Sequence, residues 1–407
     1  MSEREHDVVL FGATGFVGRL VAAYLAEAAP PDLRVALAGR SREKLTATAA
    51  DLPGAAQRWP LLEADTGDVG SLERLAASTR VLVTTVGPYQ RYGLPVVEAC
   101  ARAGTHYADL TGEVLFVREA IDRCDAVARE TGARLVHAAG YDSIPSDLSV
   151  FLLAERARAD GAGGLTDVRL VASLKGGFSG GTVDSMRAQI EQMATDRSLR
   201  RVIGDPYALS PDRAAEPGTR QPPDVAPPAL AADGRWTAPF VMAPFNTRVV
   251  RRSNALQDWA YGRGLRYGES MSAGRGVTGA LTAAGITTGL AAAFGAMAFG
   301  PTRALVDRVL PAPGTGPSEA AREKGFFRMV VDADTEGGRH YRATAAGPGD
   351  PGYKATSVML GQVALGLALD GDRLPDRAGS LTPSTALGDV LVERLRVAGH
   401  TYDVVEA

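Results

Sequence analysis

Apolar positions in the first third of this chain follow two alternating rhythms. Unbroken runs such as Val8-Val9-Leu10-Phe11 and Val81-Leu82-Val83-Thr84-Thr85-Val86 show no polar face and describe strands buried on both sides. Between such runs the apolar residues recur three and four apart, and Val17, Leu20, Val21 and Leu25 form one face of a helix. By the same reading 34–38, 61–65, 105–109 and 134–138 are strands, and 94–103 and 114–130 are helices. Strict alternation of strand and helix predicts an α/β fold with a doubly wound parallel sheet.

Beyond residue 150 the rhythm changes. Residues 167–174 alternate loosely, as a strand does when helices cover one face, and run into Lys175-Gly176-Gly177-Phe178-Ser179-Gly180-Gly181-Thr182. That polar loop reads as a substrate cradle or a mobile connector ahead of a helix through Met186, Ile190 and Met193. Residues 206–244, rich in Pro, Ala and Asp, predict a long surface excursion, a lid or a disordered stretch. Arg248, Arg251 and Arg252 read as a solvated face, with phosphate recognition on a carrier-bound substrate as the alternative. Residues 326–334 and 339–346 flank Glu336-Gly337-Gly338 as an antiparallel pair, and 355–369 and 387–398 read as the last helices.

Residues 277–300 contain no charged side chain, a length that would span a bilayer. Ala, Gly and Thr dominate, and glycines at 279, 285, 289, 295 and 300 weaken an isolated helix. A buried or interface segment is the expectation, with a substrate channel, a membrane-contacting surface or a transmembrane helix as alternatives.

Glycines then add chemistry to the pattern. Gly12, Gly15 and Gly18 follow the first strand at three-residue spacing, which suits a tight turn, a close approach to pyrophosphate and close helix packing, respectively. Gly12, Ala13, Thr14, Gly15, Phe16 and Val17 are therefore expected to hold a dinucleotide on a Rossmann-type sheet, with a bare structural turn as the alternative. The second strand ends in Gly39-Arg40-Ser41-Arg42, where NAD would favour an acidic side chain and a guanidinium suits a phosphate dianion. NADP(H) is the expected cofactor, through Gly39, Arg40 and Ser41, unless the arginines are only solvated helix-start residues. Asp65 would meet the adenine or make a turn, and Asp68 would cap the next helix. Val86, Gly87, Pro88 and Tyr89 end a central strand, so they should border the pyrophosphate and nicotinamide ribose, Tyr89 as polar donor or packed aromatic.

Composition narrows the partners. The chain has 407 residues, 45% hydrophobic and 22% charged, enough for two domains of an ordinary soluble protein. A formal charge of -3 gives no reason to expect nucleic acid. Cys100 and Cys124 lie outside any metal spacing and read as buried thiols of a cytoplasmic protein, and five scattered histidines suggest no metal site. The charged opening, 1–7, does not read as a signal peptide.

Taken in order, Gly12-Ala13-Thr14-Gly15-Phe16-Val17-Gly18, Ala38-Gly39-Arg40, Val86-Gly87-Pro88-Tyr89, His106-Tyr107-Ala108-Asp109-Leu110-Thr111-Gly112-Glu113 and Gly140-Tyr141-Asp142-Ser143-Ile144-Pro145-Ser146-Asp147 resemble the saccharopine-dehydrogenase-like oxidoreductases. Within them the set is most similar to the trans-acting enoyl reductases of actinobacteria. The resemblance covers residues 1 to about 150 and implies an NADP-binding Rossmann domain over 1–148 and a second α+β domain over 149–370, a substrate and homodimer unit. A segment over 371–407 would return to the first domain.

The implied reaction is NADPH-dependent reduction of an enoyl group on an acyl, lipid or polyketide intermediate. Reduction of an imine between amino-acid partners is the enzymatic alternative. A non-catalytic NADP-binding protein touching lipid through 277–300, membrane-associated rather than freely cytoplasmic, is the alternative of another class. Negative charge developing on a thioester oxygen calls for a positioned donor, and the α-carbon needs a proton. Tyr141, Asp142 and Ser143 follow the sixth strand, beside the expected nicotinamide position; Tyr141 or Ser143 would donate, and Asp142 would need a raised pKa to act as an acid. A helix start with Pro145 in its first turn, capped by Ser143 or Asp142, is the competing reading of this segment. Lys175, Tyr89 and Tyr353 are reserve candidates.

Overall fold

Burial on both faces decides the layout of the first sheet. In the computed structural model, which describes residues 4–176, 197–231, 233–298 and 316–407, β1 (His6–Phe11) and β2 (Val35–Gly39) are buried at every position. β3 (Leu61–Glu63), β4 (Thr79–Thr84), β5 (His106–Ala108) and β6 (Arg134–Val136) complete a parallel array in the order β6-β5-β4-β1-β2-β3.

Alternate residues of β1 serve two cores. Val8 and Leu10 pack with Val21 and Leu25 of α1 (Phe16–Ala28). Val9 and Phe11 pack instead with Leu72 and Leu75 of α3 (Val69–Ser78), Val96 and Cys100 of α4 (Tyr89–Ala103), and Phe116 and Cys124 of α5 (Val114–Thr131). α2 (Arg42–Ala50) lies beside β2 and β3. This double burial is why the strands read as unbroken apolar runs.

The first core does not stop at the sheet. It continues through Leu148 and Val150 of α6 (Ile144–Ala159) to Val168 and Leu170 of β7 (Leu165–Lys175). The second sheet is mixed, with β8 (Ala229–Leu230), β9 (Arg235–Pro239), β10 (Arg266–Arg275), β11 (Phe326–Thr335), β12 (His340–Pro348) and β14 (Thr401–Glu406) in the order β14-β12-β11-β7-β10-β9-β8. β7 and β10 run parallel, whereas β11 and β12 form the expected antiparallel pair. α10 (Thr356–Leu369) returns to the first sheet, where Gly361 meets the Tyr24 ring of α1, Gln362 donates to the Tyr24 hydroxyl, and Met359, Leu360 and Val363 join the first core. β13 (Gly379–Leu381) then adds a seventh parallel strand beside β6.

Several sequence expectations change here. The terminal segment 371–407 divides: β13 joins the first sheet, but β14 pairs with β12 of the second. Its expected helix 387–398 forms as α11 (Asp389–Val397), starting two residues later because Gly388, with a positive φ of 52°, separates it from a short helix Pro383–Leu387. Arg248, Arg251 and Arg252 are not solvated but buried on α8 (Ala243–Leu256), the helix that follows α7 (Arg197–Gly204). Arg248 pairs with Asp224 at 2.8 Å, Arg251 donates to the carbonyls of Pro206 and Tyr267, and Arg252 to those of Leu209 and Ser380. They pin the 206–244 excursion down, and burial lowers Arg251 and Arg252 to about 10.

The uncharged stretch 277–300 was expected to be buried or at an interface. Its described part forms α9 (Gly276–Ala298), which seats Ala283 and Gly279 near Trp236 while Val277 and Leu281 stay about 78% and 70% exposed. The expected helix through Met186, Ile190 and Met193 lies outside the described residues.

One buried acid fixes the loop after β4. Glu113, with 0% exposure, accepts the N–H groups of Tyr89 at 3.0 Å and Gln90 at 2.7 Å, the first two of α4. Glu113→Gln should replace one charged acceptor with an amide donor facing a helix N-terminus and cost about 1–2 kcal/mol. Urea unfolding checks this, and an unchanged midpoint would exclude the capping role.

Candidate active site

β1 lies between β2 and β4, where the strand order of the first sheet reverses. The carboxyl ends of strands at such a reversal leave a crevice open to ligands. Gly12 takes φ +89°, and a Cβ there would sit 2.8 Å from both Thr85 Oγ1 and Val86 Cγ2. A Cβ on Gly18 would come within 2.1 Å of the Gly12 carbonyl oxygen, so α1 meets the turn backbone to backbone. Gly15 differs: it is exposed at the N-cap of α1, and a Cβ would meet nothing closer than 3.4 Å.

No side chain caps α1 and no acid lies in its first turn, although Ala13 is buried beneath and Thr14 flanks the turn. The N–H groups of Phe16 and Val17 are left for an external anion, a cradle that fits a pyrophosphate. The Phe16 ring is held from the second sheet's side, edge-on to Tyr353 at 4.9 Å and 5.4 Å from the Arg322 guanidinium.

Beyond β2, three polar side chains meet different fates. Ser41 caps α2 by accepting the Lys44 N–H, and Arg42 donates to the Leu61 carbonyl at 2.6 Å. Arg40, exposed next to Gly39, has no hydrogen-bond or ion-pair partner among the described residues. Asp65 makes a turn, its Oδ1 accepting the Gly67 N–H at 2.8 Å, and Asp68 caps α3.

After β4, Val86 is half-buried, Gly87 exposed and Pro88 buried. Tyr89 is a packed aromatic rather than a free donor. Its hydroxyl donates to the Thr84 carbonyl and accepts the Leu110 N–H, both at 3.1 Å.

Beyond β5 and β6, Asp109 is completely buried and accepts four donors. Its Oδ1 takes the N–H groups of Thr111 and Ala138, and its Oδ2 takes the Tyr107 hydroxyl and His137 Nδ1. A carboxylate only accepts, so His137 donates through Nδ1, and its buried Nε2 has no partner among the described residues.

The turn that follows separates the three reactive candidates. Tyr141 donates its N–H to Thr356 and packs edge-on to Phe327, but its buried hydroxyl has no partner among the described residues. Burial beside Glu269 and Asp142 pushes that hydroxyl up, so it stays protonated. Asp142 is half-buried, and among the described residues no group hydrogen-bonds its carboxyl. Burial first, and the Asp109 charge second, push it up to about 7. Ser143 faces the second sheet instead, donating to Asn246 Oδ1 at 3.0 Å. It is the N-cap residue of α6, yet its side chain makes no cap bond.

Asn246 extends that contact to Glu269 at 3.0 Å, and Tyr267 donates to the same carboxylate at 2.7 Å. Burial pushes Glu269 up to about 7. Lys175 stands exposed at the end of β7, without a partner among the described residues, and 177–182 of its loop lie outside them. Sequence reasoning passed over Asp109, Glu113, Asn246 and Glu269. For the first two the signal was present, since both are acids within one quoted motif directly after an apolar strand.

Comparison with known proteins agrees with this arrangement. Residues 8–136 match the NADP-binding domain of saccharopine dehydrogenases. A Mycobacterium tuberculosis protein provisionally named a trans-acting enoyl reductase is 53% identical, covering 97% of this chain and 96% of its own. The trans-acting enoyl reductase of Mycobacterium bovis is 48% identical over 98% and 97%. Among solved structures, apo saccharopine dehydrogenase (L-Glu forming) from Saccharomyces cerevisiae superposes with a TM-score of 0.56 at 12% identity, covering 98% of this chain and all of that one, which shows a shared fold. The chain belongs to the saccharopine-dehydrogenase-like oxidoreductases, in the group of the trans-acting enoyl reductases.

Proposed function

We propose that the protein is an NADPH-dependent reductase that saturates the C=C bond of an enoyl thioester on a carrier-bound lipid or polyketide intermediate. The observation that carries the mechanism is Asp142, an acid in the turn after β6 whose carboxyl has no hydrogen-bond partner among the described residues and whose proton affinity burial raises to near neutrality.

The free N–H groups of Phe16 and Val17 would hold the pyrophosphate, and Arg40 the additional phosphate that distinguishes NADP. Val86 and Gly87 would border the nicotinamide ribose. When bound, the cofactor supplies a hydride to the β-carbon of the substrate. The protein's own residues handle the charge that results. Tyr141, kept protonated by burial, would donate a hydrogen bond to the thioester oxygen as it becomes negative. Asp142 would give its proton to the α-carbon, completing a saturated thioester and leaving a carboxylate to be reprotonated from solvent. Tyr89 and Ser143 take no part, because each hydroxyl is already bonded within the protein.

Imine chemistry between amino acids would need cations gathered on substrate carboxylates. Arg248, Arg251 and Arg252, the sequence's cluster of cations in the second half, are buried and bonded to Asp224 and main-chain carbonyls, which favours the enoyl reading. The exposed, uncharged surface of α9 supports contact there with a lipid surface or a second copy of the chain.

Because Asp142 acts protonated, kcat should fall as pH rises through about 7. Asp142→Asn should lower kcat roughly 100-fold or more, with NADPH binding retained. Steady-state assays across pH with enoyl thioesters check this, and wild-type kcat in the variant would remove Asp142 from the role. Arg40→Ala should weaken NADPH binding about tenfold and leave NADH binding unchanged. Equal losses for both cofactors, measured by fluorescence titration, would count against the phosphate contact.

A further inference from the structure

The turn that carries Asp142 is closed by its own main chain, the Gly140 carbonyl accepting the N–H groups of Ser143 at 3.3 Å and Ile144 at 2.9 Å, but the residues that lead into it are held from outside. Ala138 takes a positive φ of 59°, a conformation unfavourable for a residue with a Cβ that persists only where its surroundings impose it. Two of the contacts that impose it come from one residue. Asp109 accepts the Ala138 N–H through Oδ1 at 2.9 Å, and its main-chain carbonyl accepts the Ala139 N–H at 2.7 Å. On the other side its carboxylate is fixed by the Thr111 N–H at 3.1 Å, the Tyr107 hydroxyl at 3.0 Å and His137 Nδ1 at 2.7 Å.

We infer that Asp109 is the positioning residue for the proposed proton donor: its carboxylate holds Ala138 left-handed at the entrance to the turn that carries Asp142. This rests on the reading of Asp142 as the acid of enoyl reduction. Four donors hold Asp109 as an acceptor, and no lysine or arginine is among them. Its negative charge therefore reaches Asp142 across a buried space.

The titratable groups around Asp142 reinforce that effect. They are Asp109 from the end of β5, Tyr89 from α4 and Tyr141 from the same turn, with Glu269 of β10 facing Tyr141. None of these supplies a positive charge, so the environment favours the neutral acid. Asp109 thus holds the donor in place and keeps its proton on.

Asp109→Asn separates charge from shape. The amide oxygen can still accept from Thr111 and Ala138, while Tyr107 and His137 can both turn into acceptors for the amide NH2. The test is infrared spectroscopy of the full chain across pH, following the carbonyl stretch of a protonated carboxyl, with the Asp142 band assigned by its loss in Asp142→Asn. Wild type should titrate with a midpoint near 7, and Asp109→Asn should move it down by about one unit, carrying the alkaline fall of kcat with it. A midpoint unmoved in Asp109→Asn would overturn the charge effect.

Asp109→Ala removes the acceptor as well, and the amide of Ala138 should then exchange at least tenfold faster with deuterium while that of Leu82, deep in β4, does not change. Equal protection of Ala138 in Asp109→Ala and wild type would overturn the template. If the alanine variant fails to fold, the same exchange measurement on Asp109→Asn, where protection should be kept, carries the comparison. Wild-type kcat in Asp142→Asn alongside a shifted infrared midpoint would place the failure with the donor assignment and leave Asp109's hold on the turn standing.

Discussion

The structure depends on a contact of main chain with main chain. Gly18 sits so near the Gly12 carbonyl that a methyl group would stand 2.1 Å from the oxygen, which brings the start of α1 directly over the end of β1. That approach leaves the first N–H groups of the helix facing outward above the sheet, where its strand order reverses. It also requires β1 to be buried on both faces, because α1 covers one side while α3, α4 and α5 cover the other. The apolar continuity of the strand and the glycine spacing after it are two consequences of one packing constraint.

Around that core, buried acids act as brackets. Glu113 gathers the first N–H groups of α4, Asp109 ties β5 to the turn after β6, and Asp147 accepts from Ser253 and from the Ser384 N–H at 2.8 Å. A buried carboxylate without donors is costly, and with two to four of them it becomes a rigid joint. Burial pushes Asp147 up to about 6 despite its donors. Asp142 stands apart from this group. Raised nearly to neutrality and bonded to nothing among the described residues, it has no structural work that would account for its placement.

Much of the first sheet was legible because its signals are local. Double burial erases polar positions, glycine spacing marks the turn, and Asp68 and Ser41 cap the helices that follow them. What stayed hidden depends on distant partners. Whether Arg40 is free while Arg42 is committed turns on the Leu61 carbonyl nineteen residues away. The roles of Tyr89 and Ser143 were decided by Leu110 and Asn246, and the three arginines of α8 looked solvated because their acceptors are main-chain carbonyls, which no side-chain pattern reveals. The strand at 401–406 escaped notice because the edge position of β14 leaves Val405 exposed and Tyr402 buried, with no clean alternation to read.

The joint between the two sheets explains why the reactive residues gather where they do. α6 begins directly after the turn that carries Tyr141 and Asp142, and its buried face joins the core of the first sheet to that of the second. One side of the turn is fixed by Asp109 of the nucleotide-binding half, the other by Thr356, Phe327 and Asn246. A side chain held from both halves can keep its place without bonds of its own. Among the described residues Asp142 therefore has its carboxyl free for chemistry while Tyr141 and Ser143 on either side of it are bonded, which is the condition for a proton donor that must meet a substrate without first reorganising.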